Sequence, residues 1–359
     1  MKRTRTKPVP VKKLSEQVEK KVRKKTSNKK ETNHNQVRYD GDNQTISTGS
    51  TLLDLAISGG RFREGGIPFG IFVEIFGPSG TGKTVLLSQI AGNIQRAGGK
   101  VMFHDPEARL NKQFAAIFGL KRDKVEYTQP DTIPEVFNSV REWIPQVSAS
   151  PIGVFADSLA ALSTDLELGS EEGDKMGMRR AKEFSQELRK TCRILTQRNV
   201  LMICSNQIRQ SGEAYGPRYK SPGGEAIAFY ASLRLRCFHP DKIKVKRKIH
   251  GREHERVVGV KVEIEVFKSS VWKPYHSADV YIIYDYGIDD TRANLQFLKS
   301  CKKDTVYRVG GVDLGKAIGK AVIAVEREGL VKQLKDEVID LWNEIEEKFE
   351  EKRKPREWY

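Results

Sequence analysis

A glycine-rich segment in the first third of the chain has the residue types and spacing of a phosphate-binding loop. The segment GPSGTGKT fits the pattern G-x-x-x-x-G-K-T, directly after the apolar run IFVEIF and directly before the helical pattern KTVLLSQIAGNIQ. In that context the loop's N–H groups and the helix N-terminus surround phosphate together. The predicted residues of this nucleoside triphosphate site are Gly77, Pro78, Ser79, Gly80, Thr81, Gly82, Lys83 and Thr84.

Two side chains of this loop and one distant aspartate carry the predicted chemistry. Lys83 would reach the β- and γ-phosphates, and the Thr84 hydroxyl would ligate Mg²⁺. Asp157 follows the apolar run PIGVFA and supplies a carboxylate for the same ion. An aspartate after a buried strand is a weak signal alone, but it gains weight beside a phosphate loop.

A second pair of carboxylates follows the apolar run VMFH. Asp105 and Glu107 lie two residues apart, so on an extended segment their side chains would point the same way, towards the nucleotide. Hydrolysis needs a base or a water-orienting group near the γ-phosphate, and these residues are candidates. An ordinary surface turn is the alternative interpretation.

The elements that must position these residues alternate between apolar runs and amphipathic stretches. Strands are predicted at Ile71–Ile75, Val101–His104, Val125–Thr128, Gly153–Ala156 and Val200–Cys204. Helices are predicted at Lys83–Arg96, Ile133–Ile144 and Met178–Arg198. This alternation predicts an α/β fold, with a mostly parallel sheet flanked by helices.

The pattern changes in the last third of the chain. Period-two segments surround a predicted hairpin near His250–Gly251, and an apolar helical face runs from Leu330 to Lys352. We therefore predict three parts: a basic N-terminal arm and linker (1–44), the phosphate-loop core (45–284) and a small C-terminal α+β domain (285–359).

Charge is concentrated in the arm. The 359 residues have a formal net charge of +16. Residues 1–38 hold 14 Lys or Arg and 3 Asp or Glu, so they carry +11 and the rest of the chain carries +5. The arm is expected either to meet phosphates or an acidic partner, or to be a solvated tail.

Other compositional features exclude several classes of protein. The longest charge-free stretch, Trp143 to Ala156, is shorter than the ~20 residues that span a bilayer. The arm lacks the apolar run of a signal peptide, so secretion is poorly supported and a cytoplasmic protein is predicted. The four scattered cysteines form no metal-binding spacing and no disulfide framework.

The order of the motifs resembles the RecA family of strand-exchange recombinases. The resemblance runs from Thr45 to about Tyr284, two thirds of the chain. It rests on TISTGSTLLD, GPSGTGKT, FHDPEARLN, VFADSLAAL, GDKMG, SNQIR and PGGEAIAFYASLRL, in the family's order and near its spacing. It implies the RecA-type fold, with ATP and Mg²⁺ bound at the phosphate loop.

The resemblance also implies roles for particular residues of the ATP site. Glu107 corresponds to the glutamate that activates the attacking water, and Gln207 to the glutamine that senses the γ-phosphate. Asn111 stands where the family usually has an adenine-contacting aspartate. Phe114 stands where an aromatic ring stacks on adenine.

The chain departs from the family at two sets of basic residues. Lys268 matches the first of two lysines that reach the neighbouring subunit's ATP, but Ser270 occupies the second position, and Lys273 is a candidate substitute. Glu263 and Glu265 stand where basic residues would capture duplex DNA. The candidate replacements flank the hairpin turn, unless they only form a solvated, charged edge: Lys242, Lys244, Lys246, Arg247, Lys248, Arg252 and Arg256.

Two loops of the family hold single-stranded DNA, and they correspond here to Glu167–Met178 and Arg209–Gly224. The second is polar, rich in Gly and Pro and longer than an ordinary connection. Its basic and aromatic residues suit sequence-tolerant binding. The predicted DNA-binding residues are Met176, Gly177, Ser185, Arg189, Arg209, Tyr215, Arg218, Lys220, Gly223 and Gly224.

These features predict an ATP-dependent recombinase with DNA-stimulated ATP hydrolysis. It would form helical filaments of itself on single-stranded DNA and exchange strands with a homologous duplex. The apolar stripe Val11–Val22 is expected to dock on the neighbouring protomer. Two alternatives are a RecA-core hexameric DNA helicase and a non-catalytic, RecA-like ATP-binding regulator.

Overall fold

The computed structural model describes residues 45–60, 66–145, 150–164, 176–210, 219–220 and 224–353. The basic arm, its stripe Val11–Val22 and most of both predicted DNA loops lie outside these residues. Among the described helices, none is both long enough and apolar enough to cross a membrane.

The described strands are numbered in chain order. They are β1 (Thr45–Ile46), β2 (Ile67–Pro68), β3 (Phe72–Gly77), β4 (Lys100–His104), β5 (Val125–Thr128), β6 (Ile152–Ala156), β7 (Val200–Gln207), β8 (Arg209–Gln210), β9 (Tyr219–Lys220), β10 (Leu233–Cys237), β11 (Asp241–Ile249), β12 (Arg252–Ser269), β13 (Ser277–Ile283), β14 (Gly287–Ile288), β15 (Arg308–Val309) and β16 (Val312–Asp313).

The described α-helices are numbered in the same way. They are α1 (Thr51–Ser58), α2 (Lys83–Arg96), α3 (Lys112–Ile117), α4 (Ile133–Trp143), α5 (Met176–Gln197), α6 (Gly224–Tyr230), α7 (Asp290–Lys302), α8 (Ile318–Arg327) and α9 (Val331–Lys348). The last helix ends four residues earlier than the predicted limit at Lys352.

One large sheet organises the molecule. Its strands follow the order β14–β13–β12–β10–β3–β7–β6–β4–β5, and β11 pairs with β12. The strands from β10 to β5 run parallel. The strands β11 to β14 extend the sheet in antiparallel pairing. The predicted mostly parallel α/β sheet is confirmed, and the hairpin forms at His250–Gly251 as expected.

Helices cover both faces of the parallel strands, so the side chains on both faces of the sheet are buried. In β3, Phe72 joins the apolar cluster under α4 and α5, whereas Val73 and Ile75 join the larger cluster under α2 and the C-terminal helices. Burying a side chain of this size stabilises the fold by about 1.5–3 kcal/mol. A parallel strand buried on both faces therefore holds the phosphate loop at the centre of the sheet.

The C-terminal helices pack directly on the core. Leu298, Val325 and Val338, from α7, α8 and α9, belong to the same buried cluster as the central strands. Asp290 at the start of α7 accepts hydrogen bonds from the backbone N–H and the hydroxyl of Thr51, both at 2.7 Å. The C-terminal segment is thus held to the core by shared apolar surface and by polar contacts. The predicted domain boundary between residues 284 and 285 stays a prediction.

Candidate active site

The phosphate loop connects the central strand to helix α2. Gly80 and Gly82 both have a φ of +76°, a conformation that suits glycine. A Cβ atom at position 82 would lie 2.3 Å from Cδ1 of Ile282, so the end of that side chain would have to move to admit one. Ser79 and Gly80 are exposed at the crest of the loop. The N–H groups that open α2 face the same end of the sheet.

Lys83 folds back over this loop. Its ammonium donates hydrogen bonds to the carbonyl oxygens of Gly77 at 3.0 Å and Pro78 at 2.6 Å. Burial lowers the pKa of Lys83, and the nearby carboxylates of Asp157 and Glu107 oppose that shift. A cation at a helix N-terminus in a partly dry site is well placed for phosphate oxygens.

Oxygen atoms of Thr84 in α2, of Asp157 directly after β6 and of Ser205 on β7 meet beside Lys83. The Thr84 hydroxyl donates to Oδ2 of Asp157 at 2.5 Å, and the Ser205 hydroxyl donates to Oδ1. Burial raises the pKa of Asp157, while both hydroxyls lower it. Carboxylate and hydroxyl oxygens are the hard ligands that Mg²⁺ prefers, so this donor set fits the predicted ion.

Glu107 lies near these residues, in a turn. The carbonyl oxygen of Asp105 accepts from the N–H of Ala108 at 3.0 Å, so the segment after β4 is not extended. The expectation that Asp105 and Glu107 point the same way is therefore wrong. Glu107 accepts from the Ser158 hydroxyl at 2.7 Å and pairs with Arg109.

Asp105 has a structural role in that turn. Its Oδ2 atom accepts from the backbone N–H of Leu110 at 2.7 Å and from the Tyr127 hydroxyl at 2.9 Å. The side chain is almost completely buried. Asp105 thus fixes the turn that carries Glu107, and only Glu107 remains a candidate for contact with water or phosphate.

Gln207 ends the strand next to the phosphate loop. In the parallel ladder of β3 and β7 its Cα partner is Gly77, so the two positions lie one strand spacing apart, about 4.8 Å. The N–H of Gln207 donates to Oδ1 of Asn206 at 3.0 Å. The strand that leads into the second predicted DNA loop is therefore adjacent to the loop expected to hold phosphate.

A buried polar network beside Gln207 was not predicted from the sequence. Oε1 of Glu74 accepts from the Asn206 amide at 2.9 Å, and Oε2 pairs with Nε of Arg234 at 2.6 Å. The Arg234 guanidinium lies 4.5 Å from the ring centroid of Phe76 and 5.4 Å from that of Phe267. The signal for this network was a glutamate inside the apolar run IFVEIF, because a buried charge needs a partner.

Lys268 is the Cα partner of Arg234 in the ladder of β10 and β12. Its ammonium donates to the carbonyl oxygens of Ala228 at 2.9 Å and Phe229 at 3.0 Å, at the end of α6. Burial, and then the Arg234 charge, lower the pKa of Lys268. Both of these hydrogen bonds hold the Lys268 ammonium against α6 rather than against the phosphate loop of its own protomer.

The turn after Lys268 holds the candidate substitute for the second family lysine. Ser270 is exposed, and its N–H donates to the carbonyl of Ser232 at 2.8 Å. The exposed Lys273 ammonium lies 5.2 Å from the ring centroid of Trp272. That indole contacts Trp342 of α9 with a centroid distance of 5.3 Å. The C-terminal helix therefore supports the turn that presents Lys273.

The two residues predicted to contact adenine lie at the start of α3. Oδ1 of Asn111 accepts from the N–H of Phe114 at 2.7 Å and caps the helix. The ring of Phe114 packs edge-on against Phe118, with centroids 4.8 Å apart. Asn111 is exposed and Phe114 is half-buried, so both remain accessible next to the turn that carries Glu107.

The described part of the predicted DNA path is limited. Ser185 and Arg189 lie one turn apart on α5, the first half-buried and the second exposed. The ends of the second loop pair with each other, Arg209 with Lys220. Met176, Gly177 and Gly224 are described by their backbone alone, as are Arg209 and Lys220. Tyr215, Arg218 and Gly223 lie outside the described residues.

A phosphate loop on the central strand of a mostly parallel sheet, with carboxylates just beyond the carboxyl ends of β4 and β6, defines a P-loop ATPase core. The sequence model of the family described as RecA N-terminal domain matches residues 11–289 of this chain. The chain is 33% identical over 309 residues to Protein RecA of Thermus thermophilus, covering 84% of this chain and 86% of that protein. It is 31% identical over 300 residues to Protein RecA of Borrelia hermsii, covering 82% and 80%.

The chain belongs to the RecA family. It is thus an ATP-dependent DNA recombinase with DNA-dependent ATPase activity, and the helicase and non-catalytic alternatives are not favoured.

Proposed function

We propose that ATP is hydrolysed at the edge of the sheet where Lys83, Thr84, Glu107, Asp157 and Gln207 converge. The observation that carries this proposal is the contact of Thr84 with Asp157 beside Lys83. This contact supports the proposal because oxygens suited to Mg²⁺ lie next to a cation suited to phosphate, and Glu107 adds a nearby carboxylate that could act on water.

Each residue of this site would have a separate task. The N–H groups of the loop and the Lys83 ammonium would bind the β- and γ-phosphates. Thr84 and Asp157 would hold Mg²⁺, which when bound neutralises negative charge on the phosphates. Glu107, held by its contacts with Ser158 and Arg109, would orient the attacking water and accept its proton. Asn111 and Phe114 would contact adenine.

We propose that Gln207 couples this site to DNA. It would bond to the γ-phosphate at one end, and the loop that follows it would hold single-stranded DNA. The predicted DNA residues of α5 and of both loops supply phosphate and stacking contacts, because strand exchange leaves sequence recognition to base pairing.

We further propose that the protein works as a helical filament on single-stranded DNA and pairs it with a homologous duplex. Lys268 and Lys273 would reach the ATP of the neighbouring protomer, and the stripe Val11–Val22 would dock on that neighbour. The protein would act in the cytoplasm of a bacterial cell or a phage-infected host.

The proposal is tested by ATPase assays with and without single-stranded DNA. Wild type should be stimulated by DNA, and Lys83→Ala should lose activity in both conditions. Lys100→Ala is the matched control, because Lys100 is exposed where β4 begins, at the opposite edge of the sheet. A wild type that DNA does not stimulate, or an active Lys83→Ala variant, contradicts the proposal.

A further inference from the structure

A row of polar side chains crosses the sheet beside the phosphate loop. Glu74 on β3 is the Cα partner of Arg234 on β10, and Arg234 is the partner of Lys268 on β12. Cys204 on β7 is the other partner of Glu74, and Asn206 lies two residues further along that strand. Opposite residues share a face of a sheet, and so do alternate residues of a strand. We define Asn206, Glu74, Arg234 and Lys268 as the polar row.

The contacts of the polar row begin at Gln207. Oδ1 of Asn206 accepts from the N–H of Gln207 at 3.0 Å, and the Asn206 amide donates to Oε1 of Glu74 at 2.9 Å. Oε2 of Glu74 accepts from Nε of Arg234 at 2.6 Å. Glu74 and Asn206 are fully buried. Both carboxylate oxygens of Glu74 therefore have a partner, and hydrogen bonds connect Gln207 to Arg234 without a gap.

Two phenylalanine rings fix the position of Arg234. The guanidinium lies 4.5 Å from the ring centroid of Phe76 and 5.4 Å from that of Phe267. The two rings meet edge-on, with centroids 5.6 Å apart. A guanidinium that contacts aromatic rings away from water is held more strongly than at an exposed site. Phe76 directly precedes Gly77, so Arg234 also contacts the end of the strand that leads into the phosphate loop.

Lys268 extends the polar row to the far end of the second predicted DNA loop. Its ammonium donates to the carbonyl oxygens of Ala228 and Phe229, in the last turn of α6, the helix that follows this loop. A cation is favourable at a helix C-terminus. Burial and the Arg234 charge lower the pKa of Lys268, and the Glu74 carboxylate opposes that shift. Glu74 thus supports the charged form of the lysine that holds α6.

Stability alone does not account for the polar row. Apolar residues of similar volume in place of a buried ion pair often leave a protein equally stable or more stable. The same face is apolar at Phe72, two residues before Glu74, which belongs to one buried cluster with Ile227 and Ala231. Buried hydrogen bonds and charges differ from apolar contacts because they lose their partners when one strand shifts against another. The polar row therefore fixes the relative positions of the strands that carry it.

We propose that Asn206, Glu74 and Arg234 are positioning residues that tie Gln207 to α6. They would set how strongly bound ATP alters the second DNA loop. A γ-phosphate that displaces Gln207 would shift Asn206, and the polar row would carry that displacement to Lys268. Both ends of the loop would then respond together, whereas only the near end would respond without the row. The inference rests on the proposed role of Gln207 and adds the residues through which that role reaches α6.

The test measures how much nucleotide strengthens DNA binding. The affinity of the full-length protein for single-stranded oligo(dT) is determined by fluorescence anisotropy, without nucleotide and with Mg²⁺ and the slowly hydrolysed analogue ATPγS. The ratio of the two affinities is the coupling factor. It is an equilibrium quantity, so it reports the coupling free energy between the two sites rather than a rate. Thermal unfolding of each variant is recorded in parallel.

Two variants separate coupling from stability. Glu74→Gln keeps the shape of the side chain and removes the counterion of Arg234. The double variant Glu74→Gln, Arg234→Met removes both charges, so it should recover most of the stability while the polar row stays broken. Asp289→Asn is the matched control. Oδ2 of the buried Asp289 pairs with Nε of Arg292 at 2.8 Å, directly after β14, the end strand on the side of the sheet away from β7.

Both Glu74 variants should lower the coupling factor about 10-fold, which is within the range found for residues that contact neither ligand. Their affinity for ATPγS without DNA should stay close to that of wild type. The reason is that Glu74 and Arg234 contact Asn206 and aromatic rings rather than the side chains proposed to bind phosphate. Asp289→Asn should keep the coupling factor of wild type, even where it lowers Tm.

A double variant that regains both its stability and its coupling factor would overturn the proposal, because destabilisation would then explain the single variant. Wild-type coupling in both Glu74 variants, or an equal loss in Asp289→Asn, would overturn it as well. If wild type binds oligo(dT) equally with and without ATPγS, the proposed role of Gln207 itself fails. If wild type responds to ATPγS and the double variant responds equally, only the role of the polar row is refuted.

Discussion

Glu74→Gln is the substitution that best tests the buried network beside the active site. The glutamate is fully buried, and its partner Arg234 retains 11% side-chain exposure. Gln keeps the shape but leaves the Arg234 charge without its counterion. Breaking a buried ion pair costs about 3–5 kcal/mol, and the residual exposure of Arg234 places the expected loss at about 3 kcal/mol.

That loss can be measured by thermal unfolding. For domains of about 150–250 residues, each kcal/mol of lost stability lowers Tm by about 2–4 °C, so Glu74→Gln should unfold about 6–12 °C below wild type. The double variant Glu74→Gln, Arg234→Met removes both charges and should recover most of the difference. A single variant within about 2 °C of wild type, or a double variant no better than the single, would refute the reasoning.

Two further predictions concern stability. Burial lowers the pKa of His104 from 6.5 to about 4, so on acidification the unfolded chain takes up a proton before the folded protein does. The free energy of unfolding that depends on His104 should be fully present above pH 6.5. It should fall by about 3 kcal/mol as the pH is lowered to 4. The free energy of unfolding of His104→Gln, measured with denaturant, should lack that pH-dependent loss. Gly59→Ala should lower the free energy of unfolding by about 2–3 kcal/mol, because the new Cβ would lie 2.3 Å from the Trp272 ring. Gly98 has a similar positive φ but open space around it, so the control Gly98→Ala should lose only about 1 kcal/mol.

The sequence was informative wherever local chemistry fixes the structure. The phosphate loop requires glycine at Gly82 and a helix from Lys83, and both are local properties that the motif contains. Apolar runs identified the parallel strands because those strands are buried on both faces. The hairpin at His250–Gly251 could be placed because few residue pairs accept two positive φ values.

Contacts between distant residues could not be derived in this way. Ser158 lies 51 residues from Glu107, and Arg234 lies 160 residues from Glu74, yet each pair shares a short hydrogen bond. Asp105 looked like a partner of Glu107, but the fold uses it to fix the turn. The polar row depends on strand register, which no single motif specifies.

The stacked tryptophans give the molecule a built-in optical label. Two of its four tryptophans, Trp272 and Trp342, lie in contact, with the His276 ring 4.6 Å from the first of them. His276 also contacts Glu346 of α9 at 3.2 Å. Aromatic groups in fixed asymmetric packing produce near-UV circular dichroism that vanishes when the packing is lost. Undocking of the C-terminal helix would therefore be visible in the native chain, without any attached dye.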